Sequence, residues 1–406
     1  MTMQNSYNRG IPLHNLGRFE EALASYDKAL EIKPDDYEAW NNRGAALYNL
    51  DRWEEAIASY DKALEFKPDN DAAWFNRGIA LADLDRLEDA ISSYDKALEF
   101  KPDNDAAWFN RGVALDNLDR LEDAISSYDK ALEFKPDNDA AWFNRGIALD
   151  NLGRFEEALA SYDKALEIKP DDPDAWCNRG LTLANLGRRE EAIASYDKVL
   201  EFKPDLHEAW NNRGVALVNL GRWEEAIASY DKALEFKPDD DEAWNNRGIA
   251  LDNLGRVEEA IASFDKALEL KPDLHEAWYN RGVALANLGR WEEAIASYDK
   301  ALELKPDKHD AWYNRGNELH NLGRWEDAIA SFDKALEFKP DLHQAFYNKA
   351  CSYALNGQVD LSVQNLQRAI DLNHDKYREM AKIDSNFDKV RSYSQFLSLL
   401  IQPKIV

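Results

Sequence analysis

One polar side chain returns through this chain at a fixed interval. Asn8, Asn42, Asn76, Asn110, Asn144, Asn178, Asn212, Asn246, Asn280, Asn314 and Asn348 stand 34 residues apart. A carboxamide has two donors and an acceptor, so a row of them can pair with both edges of an extended polypeptide backbone without reading its side chains. An arginine follows ten of them, the internal nine being Arg43, Arg77, Arg111, Arg145, Arg179, Arg213, Arg247, Arg281 and Arg315. All periods but the last also keep an aspartate in an SYDK or SFDK segment: Asp27 in the first, then Asp61, Asp95, Asp129, Asp163, Asp197, Asp231, Asp265, Asp299 and Asp333. Other reactive types are scarce or badly placed for catalysis. His14, His207, His275, His309, His320, His343 and His374 show no metal-ligand spacing, and Cys177 and Cys351 lie 174 residues apart with no CxxC pair. Glu-Glu pairs such as Glu224 and Glu225 are adjacent, so on a helix they point in different directions and read as a negative first turn facing the helix dipole. A phosphate loop, a G-x-S-x-G elbow and an HExxH pair are missing from the sequence. These residues imply neither an enzyme, a cofactor nor a metal, and they direct attention to a binding surface.

The elements that must carry such a row follow from the same interval. Trp40, Trp74, Trp108, Trp142, Trp176, Trp210, Trp244, Trp278 and Trp312 keep the 34-residue step, and Phe346 continues it. A period of about 20–50 residues signals stacked units that cannot bury their apolar faces alone. Eleven units result, 3–36 through 343–376, followed by a tail of thirty residues, 377–406. In the unit 207–240, Trp210, Val215, Leu217 and Leu220 keep a helical period and Gly221 supplies a left-handed C-cap. Ala226, Ile227, Tyr230, Ala233, Leu234 and Phe236 form a second helical stripe that Pro238 ends. Gly214 sits mid-helix at a cost of roughly 0.5–1 kcal/mol relative to alanine, which implies a close approach to a large neighbour.

Composition agrees with a helical, reducing-compartment protein, and a cytoplasmic location is expected. No apolar run is long enough to span a membrane and no leader-like segment opens the chain, so membrane insertion is not expected. The net charge is −27, spread evenly: the unit 207–240 has seven carboxylates against four cations. An acidic surface without a basic stripe argues against nucleic acid.

The spacing W-x3-G-x2-L-x2-L-G, then A-x3-Y-x2-A and a proline, resembles the tetratricopeptide repeat (TPR) family over residues 3–376. The wording NLGRxEEAIASYDKALEFKPD is similar to the long arrays common in cyanobacterial proteins. The resemblance implies an all-α, right-handed solenoid of eleven antiparallel helix-turn-helix repeats, with first helices lining a concave groove. The ends depart from the pattern. Pro12 replaces an alanine, so a short or frayed first helix is expected; Ala350 and Ser362 replace the packing glycine and alanine of the last unit. The tail is expected to form capping helices, with Met380, Phe387, Val390, Phe396, Leu397 and Leu400 covering the last hairpin.

In the family, the second, fifth, sixth, ninth, twelfth and thirteenth positions of the first helix tend to face the groove. The sixth position is the asparagine row, similar to a ladder in the O-GlcNAc transferases, which bind extended polypeptides. A competing reading has these amides bridging neighbouring first helices. Position five holds Phe75, Phe109 and Phe143 early and Tyr279, Tyr313 and Tyr347 late; position nine includes Ile79, Val113 and Ile147, and position twelve Asp116, Asp150 and Asp252. The arginines replace a leucine that packs in the family, so they are expected in a seam, paired with the SYDK aspartates rather than reaching a ligand. The implied function is a non-enzymatic protein–protein interaction scaffold that binds neutral or basic extended segments. Cations are nearly absent from these positions, so an acidic tail of the carboxylate-clamp type is not an expected partner. Alternatives implied by the resemblance are an assembly factor for a membrane or photosynthetic complex, and a targeting subunit for a separate enzyme. Units 71–104 and 105–138 differ only at 79/113, 82/116 and 83/117, so copied repeats could equally act as a spacer.

Overall fold

The computed structural model describes residues 3–401. Those residues hold twenty-four α-helices and one 3-10 turn, and no strand. Contacts divide the chain into two compact units, Met1–Pro204 and Asp205–Val406. The first contains six helical hairpins, and the second contains five followed by the tail helices. Within each unit a first helix of 12–13 residues pairs with a second helix of 14, as in Asp71–Asp83 with Leu87–Phe100, and the second helix packs on the next first helix.

The mid-helix glycine is where each hairpin closes. A Cβ on Gly112 would lie 2.6 Å from the Tyr128 ring, and one on Gly248 2.5 Å from Phe264. Only hydrogen fits beneath these rings, which are among the most buried large side chains. The last hairpin breaks the rule at both partners together: Leu366 stands in the aromatic's place, and Ala350 is then tolerated. Ser362, in place of alanine, donates to the Ala350 carbonyl at 2.9 Å, which satisfies its buried hydroxyl.

The ends of the helices have local causes. Asp36, Asn70, Asn104, Asn138, Asp172 and Asp240 accept from the first turn of the helix that follows, as N-caps do. The turn between helices takes a positive φ, supplied by glycine in most repeats but by Asp51, Asp85 and Asp119 in three. Second helices before the last start on an arginine that grips the carboxylate three residues on: Arg52 donates from Nε and Nη2 to Glu55 at 2.7 and 2.6 Å. The second glutamate of each EE pair is thus held in a fork, beyond its contribution to the helix dipole.

Three expectations need correction. The first helix is full length, Met3–Asn15, and runs through Pro12. Packing holds it where proline removes a donor: Leu13 is buried in the cluster with Leu23 and Tyr26. Phe236, read as part of the apolar stripe, lies in the last turn of its helix and is 43% exposed. In the tail, Phe387, Val390 and Phe396 are buried and Leu400 is partly so, but Met380 and Leu397 are 38% and 44% exposed. Tyr377, Ala381 and Leu399 are buried in the same cluster, against Leu366, Ala369 and Ile370. They share it because the helices His374–Ile383 and Ser394–Ile401 both pack on Val359–Leu372.

Candidate functional site

The arginines belong to the scaffold. Arg43, Arg77, Arg111, Arg145, Arg179, Arg247, Arg281 and Arg315 each donate from Nε to an aspartate sixteen residues earlier, Asp27, Asp61, Asp95, Asp129, Asp163, Asp231, Asp265 and Asp299, at 2.6–2.7 Å. Each also donates from Nη1 to a serine sixteen residues later, as Arg111 does to Ser127 at 2.6 Å, and Arg213 does so to Ser229. Each guanidinium further lies 5.5–5.9 Å from the centroid of the tryptophan three residues before it, as with Arg111 and Trp108. The aspartate comes from the second helix of the preceding repeat, and the serine from the second helix of the same repeat. One planar cation therefore joins three helices, as the sequence reading expected of a seam residue. Lys349 takes the same place in the last repeat and pairs with Asp333.

The asparagine row splits according to the residue at position five of the repeat before it. Where that residue is polar, the amide bridges first helices. Asn42 donates to the Tyr7 hydroxyl at 2.9 Å, Asn314 to Tyr279 at 3.2 Å and Asn348 to Tyr313 at 3.1 Å. Asn76, Asn246 and Asn280 make longer bonds, 3.4–3.5 Å, to Asn41, Asn211 and Asn245. Where the preceding residue is Phe75, Phe109 or Phe143, no bridge is available. Asn178 then turns back to the Asp174 carbonyl of its own helix at 3.0 Å, while the half-buried Asn110 and Asn144 amides make no hydrogen bond. Asn212 lines a recess of about 400 Å³ with His207, Asn211 and Lys237.

The position-five rings fare differently in the two units. Phe75, Phe109 and Phe143 are partly buried, each tilted over the tyrosine of its own hairpin (Tyr94, Tyr128 and Tyr162) with centroids 6.0 Å apart. They pack beside Ile79, Val113 and Ile147 along the first-helix face of Met1–Pro204. Tyr279 and Tyr313 are committed to the next asparagine, and Lys308 Nζ lies 4.4 Å from the Tyr279 ring centroid. Tyr347, expected to face a ligand, is 4% exposed: it stacks on Tyr377 at 4.8 Å and donates to Asp384 at 2.8 Å. The tail supplies the ring and carboxylate that cover it.

Acidic groups also stand on the first helices of each unit. Burial, and after it the Asp119 charge, holds the Asp116 carboxyl above the usual carboxylate range. Burial raises Asp150 and Asp252 too, opposed by a hydrogen bond from Thr182 to the first and from Asn287 to the second. Glu318, at position ten where most repeats have alanine, is 8% exposed and is raised by burial against a 3.0 Å bond from Asn321. His320 is lowered by burial, and its Nδ1 lies 2.9 Å from the Ser352 hydroxyl.

The tetratricopeptide repeat family profile matches residues 7–71, 65–105, 75–139, 177–241, 213–275, 245–309 and 279–343. Further TPR profiles match 127–160, 151–187 and 343–376. Together these cover most of the chain. The chain belongs to the tetratricopeptide repeat family. Its fold is accordingly the TPR α-solenoid class, built in each unit from stacked hairpins. Among solved structures it is similar to YrrB, "a TPR protein with an unusual peptide-binding site", at 29% identity over 45% of this chain and 95% of that one, TM-score 0.42. It is also similar to MamA of Desulfovibrio magneticus RS-1, 24% identical over 42% and 96% of the two chains, TM-score 0.40. Yeast Tom70 matches at 16% identity over 99% of both chains, TM-score 0.41. No curated protein matches the sequence. Among the described residues of this TPR chain, no helix is long and apolar enough to cross a membrane and no group of His, Cys, Asp or Glu could hold a metal ion.

Proposed function

We propose that this TPR protein is an interaction scaffold that binds extended polypeptide segments on the first-helix face of repeats 71–104 to 139–172. One observation carries the reading: Asn110 and Asn144 have no hydrogen-bond partner, whereas Asn42, Asn76, Asn246, Asn280, Asn314 and Asn348 bridge to neighbouring repeats. The free amides flank an apolar strip of Phe75, Phe109, Phe143, Ile79, Val113 and Ile147. Amides take the backbone of a bound chain, and rings give it anchors. The acidic residues beside the strip, Asp83 and Asp116, favour neutral or basic segments over acidic ones. Chemistry of bond-making or bond-breaking has no part in this reading.

Binding of a panel of fluorescent, unstructured peptides of differing charge tests it. Replacing Phe75, Phe109 and Phe143 together by alanine should weaken capture by several kcal/mol, at about 1–2 kcal/mol for each anchoring ring. Thermal unfolding should stay cooperative. Unchanged capture with a collapsed melting temperature would assign the rings to the core alone.

A further inference from the structure

The duplicated repeats 71–104 and 105–138 differ at positions nine, twelve and thirteen, and at position twelve Ala82 is replaced by Asp116. Over Ala82 there is a recess of about 210 Å³, walled by Ile79, Leu87 and Val113, with Tyr94, the Asn110 and Asn117 amides and the Asp83 carboxylate in its lining; Asp83 already accepts from the Tyr48 hydroxyl at 2.6 Å. That volume exceeds a leucine side chain, and the apolar walls would take one out of water. One repeat on, Asp116 occupies the place of Ala82 and has no hydrogen-bond partner, although it is half-buried. The hydroxyl of Tyr128 lies in the field of this carboxylate; its ring is wholly buried, and the hydroxyl is also unpartnered. Asp150, the equivalent residue of the following repeat, is different: the Thr182 hydroxyl donates to it at 3.0 Å. A partly desolvated carboxylate with no partner is costly, and a lysine or arginine from outside would offset that cost.

We infer that the bound segment carries an aliphatic side chain seated over Ala82 and a lysine or arginine paired with Asp116. This rests on the binding reading above and specifies the chemistry of its ligand. Recognition is then by register as well as by backbone: the amides hold the chain, the recess selects an apolar residue, and the carboxylate selects a cation. Asp150, already bonded, serves as an internal control.

The probes are labelled Gly/Ser peptides bearing one leucine and one lysine at varied separations, with matched peptides in which lysine becomes glutamine or leucine becomes serine. Fluorescence anisotropy on the full chain should show the Leu/Lys peptide of the best separation binding about tenfold more tightly than its Leu/Gln match, equivalent to one charge pair of about 1.4 kcal/mol. D116N should abolish that preference, so that the Leu/Lys and Leu/Gln peptides bind this variant alike within about twofold. D150N should keep the preference, and A82L should abolish the preference for leucine over serine. A lysine preference that survives D116N, or disappears in D150N instead, overturns the inference while peptide binding stands. If no peptide binds the wild-type chain, the binding reading itself falls.

Discussion

Asn42 and Asn110 hold the same place in their repeats, yet only Asn42 has a neighbour to bond. The difference lies 35 residues earlier, where Tyr7 offers a hydroxyl and Phe75 offers none. An amide that already bridges two helices must break that bond before serving a ligand, so the exchange gains little. Restoring the missing acceptor should therefore close the site. Phe75→Tyr is expected to tie Asn110, raise stability by about 0.5–1.5 kcal/mol, and weaken peptide binding. Denaturant unfolding and anisotropy on the same variant check both halves. Tighter binding would mean that the Asn110 amide takes no part in holding the ligand. The same logic excludes Tyr347, whose hydroxyl is already given to Asp384.

The hairpins are joined by charge as well as by packing. Arg111, anchored on Asp95 and Ser127 and set beside Trp108, shows how a residue that replaces a packing leucine can be accommodated, because every strong donor direction it uses meets an acceptor. Glu318 is a less comfortable member of its helix. Its folded pKa lies above the unfolded value because of burial, so the folded state binds the proton more readily. Stability from this group is present at low pH, falls as pH rises from the ordinary carboxylate range through the raised value, and stays reduced at neutrality. Glu318→Gln keeps an acceptor for Asn321 and removes the charge. The variant should be more stable than the parent at pH 7, with the gap closing below the ordinary carboxylate range. Urea unfolding at several pH values reads this directly, and a less stable variant at pH 7 would contradict it. Asp116, Asp150 and Asp252 share the sign of this effect.

At the scale of the whole chain, an array of hairpins must end somewhere, and its last apolar face needs a cover. Here the tail places Tyr377, Phe387 and Phe396 in one cluster with Tyr347, Leu366 and Ile370. His343 Nδ1 meets the Tyr377 hydroxyl at 2.6 Å, and Lys389 donates to the Leu355 carbonyl at 3.0 Å. We propose that residues 377–406 act as a cap. Their removal should lower amide-exchange protection across 343–376 and reduce solubility, because a ring cluster would then face water. Protection unchanged from the full chain would show that the last hairpin stands alone. Residues 402–406 lie outside those described.

Much of this was legible in the sequence because a TPR array is held by neighbour-to-neighbour contacts that recur with the period. The glycine under each ring, the turn after each first helix, and the Arg–Asp seam all repeat every 34 residues, so one unit read correctly accounts for many. What the pattern left open were contacts that depend on how two different repeats face each other. The row of asparagines looked uniform, but its bridging depends on a side chain in the adjacent first helix, and only the packed hairpins bring position five of one repeat against position six of the next. The tail had no sister repeats to compare, so its helical spacing identified Phe387, Val390 and Phe396 but put Met380 and Leu397 on the wrong side. Helical period tells which residues share a stripe; which way the stripe turns is decided by the surface it meets, and that surface exists only once Val359–Leu372 is in place.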